Sequence, residues 1–142
     1  MFGSRKAAPE AAAQLKDVAF FEGFTDDELA RVAQLAEEVE AQAGAELTDQ
    51  GRPGQECFVI LEGQASVAVS GEHVATVGAG SMVGEMALID HRPRSATVTA
   101  ETDMRLIAFD NNAFKALLDE MPKASQRVMS LLNARLQDNK DR

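Results

Sequence analysis

Gly80-Ser-Met-Val-Gly-Glu-Met-Ala-Leu-Ile-Asp-His-Arg-Pro-Arg-Ser-Ala-Thr-Val98 breaks the alternating pattern of the residues around it. Val83 closes a strand and Gly84 permits a sharp change of direction. Glu85 to Ile89 suffices for one short helical turn before Asp90-His-Arg-Pro93. A helix that short is mostly amide ends, with unsatisfied N–H groups and a positive partial charge at its start, so it suits a phosphate oxygen. Nine residues after Glu85 comes Arg94, whose planar guanidinium can hold two such oxygens at once. A carboxylate beside an anion site repels the ligand unless it has separate work. Ionised Glu85 accepts hydrogen bonds and donates none, so a sugar hydroxyl gives it that work. An anion-binding turn, one arginine and one carboxylate together describe a small phosphorylated sugar.

Upstream and downstream of this stretch, glycine and proline punctuate short apolar runs: Glu46 to Gln50, Glu56 to Leu61, Gln64 to Ser70, His73 to Val77, Ser95 to Ala100 and Met104 to Phe109. Many short strands in about 65 residues predict a sandwich or jelly roll. Before them, Thr25 and Glu28 form a capping-box pattern, followed by Leu29, Val32, Ala33, Ala36 and Val39 at helical spacing. That pattern turns Asp27, Arg31, Gln34 and Glu38 outward. After the strands, Asp110 caps a helix carrying Phe114, Leu117, Leu118 and Met121; Pro122 interrupts and restarts it, since proline is tolerated in a first turn. Val128, Leu131, Leu132 and Leu136 line the last helix. Residues 1–15 are alanine-rich with few large anchors and read as a flexible, frayed lead-in; residues 16–137 form the domain and 138–142 a tail.

Composition narrows the function classes. The chain has 142 residues, 45% hydrophobic and 26% charged, which suits one globular domain able to bury roughly 70% of its unfolded surface. Cys57 is the single cysteine and rules out an intramolecular disulfide. No run approaches the roughly 18 apolar residues of a membrane helix, and no leader pattern opens the chain, so a cytoplasmic protein without membrane insertion is expected. A net charge of −9 argues against nucleic-acid partners, which need a basic face.

At the quoted stretch the chain resembles the cyclic nucleotide-binding domain family. Gly84-Glu85-Met86-Ala87-Leu88-Ile89 and Pro93-Arg94-Ser95-Ala96-Thr97-Val98 are similar to its phosphate-binding cassette, and Phe58-Val-Ile-Leu-Glu-Gly63 to its strand ending in Glu-Gly. The resemblance implies a mainly β fold, an eight-stranded jelly roll with an N-terminal helix and two C-terminal helices, holding a 3′,5′-cyclic mononucleotide. Arg94 would then pair with the cyclic phosphate, Glu85 would accept from the ribose 2′-hydroxyl, and amides around Gly84, Met86 and Ala87 would complete the cradle. Ser95, with Ala96 beside it, favours cyclic AMP over cyclic GMP. The family implies that the last helix folds over the base. With no tryptophan or tyrosine in the chain, that cap must be aliphatic, a phenylalanine, or an arginine such as Arg127 or Arg135; Leu131, Leu132 and Arg135 are the candidates.

Competing readings are weaker. Glu85 and Arg94 alone would equally suit a structural ion pair. An enzyme of the cupin type needs clustered metal ligands, and His73 and His91 lack partners at ligand spacing, so no catalytic residue and no metal are expected. Cys57 lies in an apolar strand and reads as an inert buried thiol, and the methionines as core filling. Six residues follow Leu136, too few for a helix-turn-helix. A regulatory sensor acting on another protein is the expected function, with an interaction domain of the same fold that binds no nucleotide as the alternative.

Overall fold

The computed structural model describes the backbone of residues 3–6, 9–90 and 93–140, and the side chains of 10–89 and 93–134. Among these, nine strands and five α-helices follow one another as β1 (Gly3–Lys6), α1 (Pro9–Leu15), α2 (Asp26–Leu35), β2 (Glu37–Ala41), β3 (Glu46–Thr48), β4 (Glu56–Glu62), β5 (Ala65–Val69), β6 (Glu72–Val77), β7 (Met82–Val83), α3 (Glu85–Asp90), β8 (Thr97–Ala100), β9 (Met104–Asp110), α4 (Asn111–Glu120) and α5 (Pro122–Lys140). The strands pair antiparallel in two sheets, ordered β1-β2-β9-β4-β7 and β3-β8-β5-β6. The eight strands β2 to β9 are the expected jelly roll, and β1 is a ninth laid along the free edge of β2.

Two apolar layers hold the sheets. Along β4, Cys57, Val59 and Leu61 join the layer under the helices, while Phe58 and Ile60 join the layer shared by both sheets. β9 does the same, with Ile107 and Phe109 on the helical side and Leu106 and Ala108 on the other. A strand covered on both faces carries a continuous apolar run, because successive side chains point to opposite sides. Phe21, Phe58 and Phe109 are fully buried, and burial of such a side chain stabilises by roughly 1.5–3 kcal/mol.

The helix boundaries follow local chemistry. Thr25 Oγ1 accepts from the Glu28 amide at 3.2 Å and the Thr25 amide donates to Glu28 Oε1 at 2.8 Å, which starts α2. Asp110 caps α4 through the Ala113 amide at 2.7 Å, and α5 begins at Pro122.

Three expectations need correction. The helical spacing through Val39 does not survive, because α2 ends at Leu35 and Glu37–Ala41 pairs with β9 instead. Glu38 faces inward at 1% exposure; Arg105 Nη2 donates to its carboxylate at 3.0 Å, and a buried carboxylate requires such a partner. Residues 1–15, expected as a frayed lead-in, contain β1 and α1, with Ala11 and Leu15 fully buried. Ala11 and Leu15 lie one helical turn apart on one face of α1, and that face docks with Leu15 as its large anchor.

Candidate functional site

The cassette is built where β7 ends. Gly84 takes φ +82°, a left-handed conformation that turns the chain from β7 into the six-residue α3. Arg94 returns to the same spot from the far end of the segment. Its backbone is clamped to the β3–β4 loop, the Arg94 amide donating to Arg52 O at 2.8 Å and the Gly51 amide to Arg94 O at 2.9 Å. Its side chain, 8% exposed, runs inward: Nη1 donates to Gly84 O at 2.8 Å and Nη2 to Glu56 O. A Cβ on Gly84 would collide with Arg94 Nη1, and one on Gly54 would collide with the Ala87 side chain. These two close approaches let the guanidinium lie against bare backbone.

Gly84, Glu85, Met86, Ala87, Arg94, Ser95 and Ala96, the seven residues expected to bind ligand, line one cavity of about 90 Å³. Thr48, Pro93 and Val98 complete its wall. Sequence reading missed Thr48, and periodicity held no signal for it, since a three-residue strand is too short to show alternation. Thr48 is 6% exposed and its Oγ1 donates to Ala96 O at 3.0 Å.

The cavity is electrostatically tense. Burial pushes the Glu85 carboxyl above its ordinary value, against the opposing pull of its own backbone hydrogen bond and of Arg94. Burial lowers the Arg94 guanidinium, with Cys57, Glu56 and Glu85 opposing; an arginine so placed still carries its charge near neutral pH. Glu56 is raised, first by burial, with Arg94 lowering it and Glu37 and Asp110 raising it further. The structural alternative of an ion pair between Glu85 and Arg94 is not what engages the guanidinium, whose hydrogen bonds go to two carbonyl oxygens.

Leu131 and Leu132 pack against the apolar layer under the helices and do not line the cavity. Arg127 Nη2 donates to Glu22 O, beside the 3-10 turn at Ala19–Phe21. The side chain of Arg135 lies outside the described residues, as do His91 and Arg92. Ala87 and Pro93 also line a larger cavity of about 740 Å³, whose opposite wall is Phe114, Leu118 and Val128 of α4 and α5. Ala87 and Pro93 thus form a partition between the small polar cavity and an apolar cleft beneath the C-terminal helices.

Among the described residues no group of three or more histidine, cysteine, aspartate or glutamate side chains could hold a metal ion, and no helix is long and apolar enough to cross a membrane. Cys57 is buried and its thiol is pushed strongly upward by burial.

The family model described as cyclic nucleotide-binding domain matches residues 38–121, more than half of the chain. Over 86 residues the chain is 38% identical to a cyclic nucleotide-gated potassium channel of Rhizobium etli, covering 61% of this chain and 24% of the channel. The chain spans about a quarter to a third of the length of the curated relatives it matches. The crystal structure of a cyclic nucleotide-binding domain from Methylobacillus flagellatus superposes with a TM-score of 0.80 at 27% identity, covering 99% of this chain and 86% of that one. The regulatory domain of Toxoplasma gondii protein kinase A, co-crystallised with cyclic AMP, gives 0.73 at 26% identity, covering 89% and 48%.

Proposed function

The chain belongs to the cyclic nucleotide-binding domain family, and on that premise we propose that the cavity around Arg94 takes cyclic AMP in preference to cyclic GMP and that the chain is a regulatory sensor, not an enzyme. The observation that carries this reading is Arg94 itself: a buried cation whose donors, among the described residues, reach only neutral carbonyl oxygens, in the wall of a cavity that also holds Glu85. A phosphate oxygen is a stronger acceptor than either carbonyl, and a guanidinium has five N–H donors, so ligand can be gripped by sharing or displacing those bonds. Glu85 accepts from the sugar hydroxyl, and that contact favours its ionised form. Ser95 and the cyclic AMP bound by the Toxoplasma relative support the choice of base.

A ligand site is typically about 300 Å³ or larger, so the cavity of about 90 Å³ must widen to admit a nucleotide. Room for that lies across the partition. If α3 shifts into the larger cleft, it meets Phe114, Leu118 and Val128, and α4 and α5 must respond. Those helices are held to the N-terminal layer by Arg31 with Glu120 at 2.7 Å, by Lys123 with Glu28 at 2.6 Å and by Lys123 Nζ to Gly23 O at 2.9 Å. The signal is then a population shift of α4 and α5, delivered in the cytoplasm to a protein effector.

Titration calorimetry with cyclic AMP tests the reading. Micromolar binding, about −8 kcal/mol, is expected for the native chain, and Arg94→Ala should weaken it by about 30-fold or more through loss of charge-assisted bonds. The rival, an interaction domain that binds no nucleotide, draws support from the small cavity and from the carbonyl partners of Arg94. No heat with cyclic AMP or cyclic GMP would establish the rival instead.

A further inference from the structure

Beside the C-terminal end of the cassette the cavity is bounded by the four-stranded sheet, where Thr48 of β3 pairs with Val98 of β8. Thr48 is the polar side chain on that wall. Its hydroxyl proton is committed, because Oγ1 lies 3.0 Å from Ala96 O and a carbonyl can only accept. What Thr48 still offers the cavity is lone pairs. Resting on the reading that the cassette fixes phosphate and sugar, the base is the part of the ligand left to meet this wall. We infer that Thr48 is a specificity-determining residue that admits a base presenting an exocyclic amino group and disfavours one presenting a carbonyl there. An amino group donates to Thr48 Oγ1. A carbonyl would set two acceptors against each other and leave both unsatisfied away from water. The Ser95 hydroxyl, exposed at the rim, can rotate to donate or accept and does not impose this choice.

Two ligand pairs test the effect: cyclic AMP and cyclic IMP differ as amino against oxo, with the adjoining ring nitrogen changing from acceptor to N–H donor, and cyclic CMP and cyclic UMP differ in the same way. The change in each ratio on substituting Thr48 is therefore what reads its role. Affinities of all four are measured by calorimetry on the full chain, on Thr48→Val and on Thr48→Ser, with melting curves to confirm folding. The native chain should prefer the amino member of at least one pair by about tenfold, as one hydrogen bond exchanged for a repulsive contact implies. Thr48→Val should bring that preference within about threefold, and Thr48→Ser should keep it. A structural role alone would weaken both members equally and leave the ratio unchanged. The inference is overturned if the native chain treats each pair alike, or if Thr48→Val retains the native ratio. Failure of the native chain to bind any of the four removes the nucleotide reading itself, and the role of Thr48 with it.

Discussion

Replacing Gly84 with alanine tests the position of the arginine without touching the arginine. Two costs are built into the site. The backbone sits at φ +82°, which penalises a residue with a Cβ by about 1–2 kcal/mol. The new methyl would also occupy the place of Arg94 Nη1 and lie 3.2 Å from Glu56 O, so the guanidinium must abandon Gly84 O. A hydrogen bond to a charged group contributes about 1.5–3 kcal/mol, and the two costs together reach about 2.5–5 kcal/mol. Gly71→Ala separates them. Gly71 has a similar φ of +81° in the β5–β6 turn, but an added Cβ meets nothing within 4 Å, so it should lose the backbone cost alone. Urea denaturation of the two variants reads the difference, with Gly84→Ala less stable by a further 1.5 kcal/mol or so. Nucleotide affinity should fall in Gly84→Ala and stay native in Gly71→Ala. Equal stability losses in the two variants would refute the placement of Arg94 against the Gly84 carbonyl.

Glu85→Gln should affect stability and binding in opposite directions. Burial raises the folded pKa of Glu85, so its favourable contribution is fully present below the ordinary carboxylate value of 4.5 and is lost as pH rises through the raised value. The variant should therefore melt above the native chain at pH 7, with the advantage vanishing toward pH 4, while its affinity for cyclic AMP drops about tenfold as a charged acceptor becomes a neutral one. A variant less stable than the native chain at pH 7 would contradict the burial of that carboxyl. Cys57, buried with its thiol pushed upward, should react with a disulfide reagent only after unfolding; stoichiometric labelling of the native chain would contradict its place beneath the cassette.

The cassette was legible because its requirements are local. Gly84, Glu85 and Arg94 sit at spacings fixed by one turn of helix and one reversal, and the structure brings them to a single cavity. Caps were legible for the same reason, as at Thr25 and Asp110. Pairing across the chain was not. Glu38 reads as an outward helical position until β9 brings Arg105 against it, 67 residues away. The lead-in was misread because alanine-rich sequence announces helix propensity but not a docking partner, and the faces that receive Ala11 and Leu15 are assembled from distant segments. Thr48 became visible only when β8 placed Ala96 O beside its hydroxyl. Leu131 and Leu132 satisfy a cap motif and a packing stripe equally well, and in this structure the apolar layer takes them.

In the free chain the buried Arg94 rests on neutral acceptors, and cyclic nucleotide should give it an anionic one. A co-crystal structure with cyclic AMP reads it directly. The guanidinium of Arg94 should lie within hydrogen-bond distance of a phosphate oxygen, with Glu85 on the 2′-hydroxyl and the cavity enlarged. Nucleotide bound elsewhere, or bound here with Arg94 still directed only at Gly84 O and Glu56 O, would contradict it.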